Sequence, residues 1–494
     1  MNAVDLAFTS ALEQAQLIRT KEISPLELTQ LYLDRIEQLN PFLGSFFTVM
    51  ADQAVADAKV KTEQLSKWNT QLDAPENPSG SQSPTEGNPP AALSHLPPFF
   101  GVPIAIKDFC TVEGVPCTYG VKLLQNRIAP EDASVVTKIR QAGFVILGKT
   151  ATSEMGSAPY TEAKGFPPTR NPWNLDYTPG GSSGGSASAV AAGLCGLAHG
   201  SDGGGSIRIP AACCGLVGIK PARGRVSQAP IGDKLCGLAV EGPLARTVAD
   251  AAALLDVMAG YVLGDPFWLP DPKVPFLAAT KQPVPSLRVG FATAIAPVGA
   301  VDPICEQSVL ETVRLLEEMG HQIEPVTLDF TDLIEPFTTV WQAAVDVGIP
   351  WLFLGKLNRL LLRRSRSRSS GVYLRAVRQL QTVARQVVTN LDKVDVLVLP
   401  ILMHPTIQVG EWAKLRPAKE LEKIMNWVAP CPPFNATGQP AIAIPAGFTP
   451  DGLPLGIQLI GRPADETTII ALAAQIETVK RWSQHRPALE TRGY

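Results

Sequence analysis

The 494-residue chain has little histidine, five residues in all, and almost no excess of charge of either sign, 43 Lys+Arg standing against 46 Asp+Glu for a net charge of -3. A near-neutral chain has no overall field to hold nucleic acid or an acidic membrane, so partners must be recognised locally. No apolar run reaches the roughly 18 residues a membrane span needs. The nearest approach, Ala187 to Ala198, is short and built of Ala, Gly and Ser. The opening MNAVDLAFTSALEQAQ lacks a basic region followed by an apolar block, so a secretory signal is not expected and a cytoplasmic location is. Eight cysteines, with Cys213 and Cys214 adjacent and no CxxC near a histidine, suit neither a disulfide framework nor a zinc site and read as free thiols in a reducing compartment. What is present is ordinary for a globular protein: 45% apolar and 18% charged residues, enough for a sizeable core.

Apolar residues recur at helical spacing from Asp5 to Lys61, as at Leu28, Leu31, Ile36 and Leu39, predicting N-terminal helices over 1–65. Residues 66–98, which include NPSGSQSPTEGNPP, lose that period and read as a flexible insertion. From Phe99 the texture becomes strand, helix, strand: GVPIAIKD, ASVVTKIRQAG, FVILGKT. The alternation continues through 99–260 and past the Pro-rich GDPFWLPDPKVP, gives way to helices over 330–395, and returns as DVLVLP, PAIAIPAGF and LGIQLIG within 396–494. The expected fold is α/β, a single large domain with a mixed central β-sheet surrounded by helices. The one dense basic run, RRSRSRSS at Arg363 to Ser370, is short and free of aromatics, and reads as a solvated helix connection, not an RNA footprint.

The chemistry concentrates between Thr178 and Val226, where GGSSGG at 180–185 is followed by SDGGGS at 201–206. A small-residue helix out and a strand over Leu194 to His199 back bring the two loops together, so that Ser182 or Ser183 approaches Ser206. Backbone N–H groups of Gly203, Gly204, Gly205 and Ser206 can converge on an anion. The spacing fits neither GxxxxGK[ST] nor GxGxxG, which argues against a phosphate cradle. A nucleophilic serine needs a base, and the histidines serve poorly. His95 lies in the insertion, His321 and His485 in charged, surface-like contexts, His404 after a strand, and His199 in an apolar strand as a packed or capped residue. The remaining base is Lys107, which ends the apolar run GVPIAIKD, where desolvation would populate the neutral amine. An ion pair of Lys107 with Asp108 or Asp202 is the competing reading.

These stretches resemble the amidase signature family. The resemblance rests on GGSSGGSASAVAAG with SDGGGSIRIPAACCGLVGIKP, on GVPIAIKDFCTVEGVPCTYG, on EGPLARTVADAAALLDVMAG and on PFNATGQPAIAIPAGFTPDGLPLGIQLIG, which span nearly the whole chain outside 66–98 and the middle helices. It implies a Ser-cisSer-Lys triad with Ser206 as nucleophile, Ser182 as bridging serine on a cis peptide bond and Lys107 as base. It further implies an acyl-enzyme, an oxyanion hole from the N–H groups of Gly203, Gly204, Gly205 and Ser206, structural support from Ser183, Asp202 and Arg208, and no metal or organic cofactor. The implied partner is a small-molecule amide, with no nucleic acid and no membrane; a homodimer is left open.

Two occupations within that family compete, a stand-alone amidase and the glutamine-hydrolysing A subunit of the transfer-RNA amidotransferase. The subunit commonly reads GGSIRQPA where this chain reads GGSIRIPA, so Ile209 replaces the glutamine. The overall layout looks nearer to general bacterial amidases, including the nylon cyclic-dimer hydrolase branch. A catalytically silent binding relative is a third reading, opposed by the joint presence of Lys107, Ser182 and Ser206. Tyr119, Met155, Tyr160, Phe166, Trp341 and Trp427 are candidates to line an apolar acyl pocket.

Overall fold

The computed structural model describes residues 2–70 and 96–489. The expected flexibility of 66–98 falls mostly on residues outside that set, but its first part is corrected: the helix Ala51–Thr70 carries on through residues 66–70.

The chain opens with helices set by their caps. Ser24 accepts from the Glu27 N–H while Glu27 reaches back to Ser24, Pro25 fills the first helical position, and Gly44 ends the helix Pro25–Leu43 in a left-handed conformation (φ 60°). The N-terminal region is not wholly helical, because Phe46–Val49 forms a strand.

The strands in chain order are β1 Phe46–Val49, β2 Pro103–Lys107, β3 Val145–Thr150, β4 Leu197–Asp202, β5 Val217–Lys220, β6 Val240–Ala245, β7 Arg288–Phe291, β8 Ala294–Ala296, β9 Gly299–Ala300, β10 Gln322–Pro325, β11 Leu328–Asp329, β12 Val396–Pro400, β13 Ala441–Phe448 and β14 Pro454–Gly461. Eleven of them make one mixed sheet in the order β1-β3-β2-β4-β6-β5-β13-β14-β12-β7-β10, and β11-β8-β9 form a small second sheet. Inner strands such as β2, β3, β6 and β12 are buried along their whole length, as expected of a sheet covered by helices on both faces.

The helix Gly184–Ala191 is buried at every position and packs against β2, β4 and β6. Its composition follows from that approach: a Cβ on Gly185 would lie 2.3 Å from the Ala151 nitrogen, so only glycine fits. The strand β4 begins three residues later than the sequence suggests and runs on to Asp202, which places His199 and Ser201 inside the sheet. The helical excursion comprises Thr331–Ala343, Lys356–Arg366 and Ser370–Asn390; the first and third contribute to a second apolar cluster around Leu333, Phe337, Val340 and Leu380, while Leu357, Leu361 and Leu362 of the second join the main core. The basic run lies at the junction of the last two helices, where Arg366 pairs with Asp346 and Arg368 with Glu335. All eight cysteines are free thiols, and no described helix is long and apolar enough to cross a membrane.

Candidate active site

Lys107 is the last residue of β2 and is 1% exposed. Its Nζ donates to Ser182 Oγ at 2.8 Å and to Ser201 Oγ at 2.9 Å. Burial pulls the amine down to about 7, against the opposing pull of the Glu241 and Asp202 carboxylates and with a smaller push from Lys234. Neither ion pair left open by the sequence forms. Asp108 binds Lys149 Nζ at 2.9 Å, and Asp202 binds Arg208.

Ser182 is buried, and the Gly181–Ser182 peptide bond is cis. A Cβ on Gly181 would lie 2.7 Å from the Tyr160 nitrogen, so the absence of a side chain lets this turn lie directly on the 158–160 backbone. Ser183 holds the two loops together: its N–H donates to the Ser206 carbonyl at 3.2 Å and its Oγ to the Ser201 carbonyl at 3.2 Å. Ser206 lines a cavity of about 580 Å³ together with Ser182, Ser201, Gly203 and Gly204. Its hydroxyl has no hydrogen-bond partner among the described residues.

Asp202 shapes the glycine loop. Its carboxylate accepts from the Gly205 N–H at 2.6 Å, the Ile207 N–H at 3.2 Å, Arg208 Nε at 3.0 Å and Asn435 Nδ2 at 2.9 Å. Burial raises this carboxyl, but Arg208, Lys220 and the hydrogen bonds outweigh it and hold it well below the usual carboxylate range. One expectation is corrected here: with its N–H committed to Asp202, Gly205 has none to offer an oxyanion. The N–H groups of Gly203, Gly204 and Ser206 donate to no protein group among the described residues. Arg208 also donates to Gln458 Oε1 at 2.8 Å and Asn435 Oδ1 at 2.7 Å.

The cavity wall is largely apolar, with Met155, Ile209, Leu235, Phe337, Trp341, Met425 and Val428. Tyr119 lines it as well, set edge-on to Phe109. Tyr160, Phe166 and Trp427 do not. Tyr160 donates to Glu420 Oε1 at 2.5 Å and lines an adjoining cavity of about 260 Å³. Phe166 stacks on Phe47 at 4.0 Å. Trp427 is fully buried and donates from Nε1 to the His404 carbonyl at 2.9 Å. Residue type does not reveal whether an aromatic ring packs inward or faces a particular cavity, which is the physical reason these three were misplaced.

Sequence reasoning missed Ser201, Glu241, Lys234, Asn435 and Gln458. Ser201 was within reach, since it opens the SDGGGS loop and strand alternation places it on the face of His199. His199 is buried and packed as expected, with Nε2 against Glu241 Oε2. His321, by contrast, is 5% exposed and not at the surface, with Nδ1 accepting from the Leu287 N–H at 3.2 Å.

A buried lysine touching two serine hydroxyls, beside a third serine on a glycine loop, on a large mixed α/β sheet, is the kind of site a hydrolase presents. The comparisons narrow the class. A model of the Amidase family matches residues 88–470. An amidase-named protein of Synechocystis sp. is 49% identical over 483 residues, covering 98% of this chain and 90% of its own. An acylamidase of Rhodococcus erythropolis is 32% identical, with 99% of each chain covered. A substrate-bound structure of 6-aminohexanoate cyclic dimer hydrolase superposes with a TM-score of 0.86 at 31% identity, covering 98% of this chain and 99% of that one. The chain belongs to the amidase signature family.

Proposed function

We propose that this chain hydrolyses the C–N bond of a carboxylic amide to an acid and ammonia or an amine, by way of an acyl-enzyme on Ser206. The observation that carries the reading is the buried Lys107 amine, 2.8 Å from Ser182 Oγ and brought down to about 7, so that a useful fraction is neutral near pH 7. The neutral amine takes the Ser182 proton as Ser182 takes that of Ser206, and Ser206 Oγ bonds to the amide carbon. The carbonyl oxygen becomes an oxyanion facing the N–H groups of Gly203, Gly204 and Ser206, each good donor being worth about 2.7–4 kcal/mol. The Lys107 ammonium returns a proton through Ser182 to the leaving nitrogen, and the C–N bond breaks. Water then adds to the ester carbon, losing its proton along the same relay, and the acid departs as Ser206 regains its proton. No step calls on a metal or organic cofactor.

The apolar wall favours a hydrophobic or aryl acyl group. Ile209, which lines the cavity, offers no hydrogen bond to a glutamine side chain. That supports a stand-alone amidase on small-molecule amides over a glutamine-hydrolysing subunit. Ammonia or amine release from aryl, aliphatic and glutamine amides, measured for wild type and Ser206→Ala, tests this. Turnover of apolar amides is expected, falling by about 10⁴-fold or more in Ser206→Ala; turnover confined to glutamine, or equal in both proteins, overturns it.

A further inference from the structure

The β4–β6 register sets Glu241 directly opposite Ser201, the serine whose Oγ lies 2.9 Å from Lys107 Nζ. Directly opposed residues share a face of the sheet, with Cβ atoms about 4.5–5.5 Å apart. His199, two residues before Ser201, shares that face too. Glu241 is 3% exposed; one carboxylate oxygen meets His199 Nε2 and the other accepts from Lys234 Nζ at 2.7 Å. Glu241 and Lys234 line the same cavity as Ser182 and Ser206. The proposed mechanism gives neither of them a task.

The other titratable groups around Lys107 are accounted for. Just after β2 and on β3, Asp108 and Lys149 pair with each other; at the end of β4, Asp202 is held by Arg208. After β2, burial pushes the Cys110 thiol and the Tyr119 phenol up, so both stay neutral. Cys110, His199 and Glu241 do converge, their ligand atoms lying within 4.8 Å of one another. Both Glu241 oxygens are already engaged, however, and a thiol held neutral is a poor metal ligand. Of the two carboxylates that act on the amine, Glu241 pulls harder than the Arg208-held Asp202, and Glu241 is itself faced by Lys234 and His199.

We infer that Glu241 is a positioning residue acting on Lys107, its negative charge favouring the ammonium and Lys234 counterbalancing it, so that the amine both accepts and returns a proton near neutral pH. The inference rests on the amide-hydrolase reading above. Burial favours the neutral amine, which takes a proton readily but gives the leaving nitrogen none. The Glu241 charge opposes that burial, and a relay works best when its pKa lies near the working pH.

The test is the pH dependence of kcat/KM for an apolar amide, read alongside the pH dependence of Ser206 labelling by a fluorophosphonate, in wild type, Glu241→Gln, Lys234→Met and Lys234→Arg. Glu241→Gln should move the midpoint of the ascending limb down by about one pH unit, and Lys234→Met should move it up by a similar amount. Lys234→Arg should restore the wild-type midpoint. A purely structural role would lower the rate without moving the midpoints in opposite directions, and that result overturns the inference. Lys234 is partly exposed, so its variants carry the test if Glu241→Gln folds poorly. A wild type that neither hydrolyses amides nor labels at Ser206 overturns the underlying reading and this inference together.

Discussion

Lys107 concentrates the argument at the scale of the residue. An amine at the end of a buried strand, lowered to about 7, is neutral above that pH and protonated below it. Activity that needs the neutral form therefore rises with pH, and kcat/KM should show an ascending limb centred near pH 7 in a steady-state series from pH 5 to 9. A rate still rising at pH 9 with no midpoint near 7 would put the amine near its ordinary value of about 10.4 instead. Lys107 and Ser206 stood out in the sequence because each stands in a local pattern that says something physical, a charge closing an apolar strand and a serine in a glycine loop, whereas Ser182 was separated from Ser183 only by the family resemblance. Ser201 was within reach from the loop it opens, but Glu241 was not, since its place beside the site comes only from the β4–β6 register that sets it opposite Ser201. The commitment of the Gly205 N–H to Asp202 was hidden for the same reason, because it depends on how the loop folds back.

Elements carry a separate prediction. The helix Val248–Met258 begins against Glu477, which projects from the helix Glu466–Lys480 and accepts from the Val248 N–H at 3.1 Å. Burial pushes this carboxyl up to about 7, despite the hydrogen bond from Val248. A folded-state pKa above the ordinary carboxylate value means the folded chain holds the extra proton. Its contribution to stability is present below the ordinary carboxylate range and is lost as pH rises through about 7. Glu477→Gln keeps an acceptor and carries no charge, so it should stabilise by about 1–2 kcal/mol at pH 8 and change little at pH 4. Urea unfolding at the two pH values checks this; equal shifts at both would contradict it. Among the elements, β1 escaped the sequence because its four residues are too few to show a period of two between long helices. The helix Gly184–Ala191 was plain, since only a tightly packed helix calls for so many small residues.

The molecule as a whole is joined at Arg208. Its guanidinium links the end of β4 through Asp202, the helix Pro432–Thr437 through Asn435 and β14 through Gln458, so the C-terminal return of the sheet buttresses the glycine loop. Arg208→Met would leave Asp202 buried without its counter-charge and should destabilise the fold by about 3–5 kcal/mol, seen as a lower urea midpoint with the activity lost in parallel. A midpoint unchanged from wild type would mean that the network does not join the two parts. The sequence showed that distant segments belong to one α/β sheet, but not that a single buried arginine connects three of them.

The central claim is that Ser206 carries the acyl group between two chemical steps. Rapid acid quench of the protein with an activated aryl amide or ester, followed by intact-mass and peptide mass spectrometry, reads that intermediate directly. The account predicts one added acyl mass on the peptide containing Ser206, absent in Ser206→Ala. Turnover without any acylated peptide, or an acyl group on another side chain in both proteins, would contradict it.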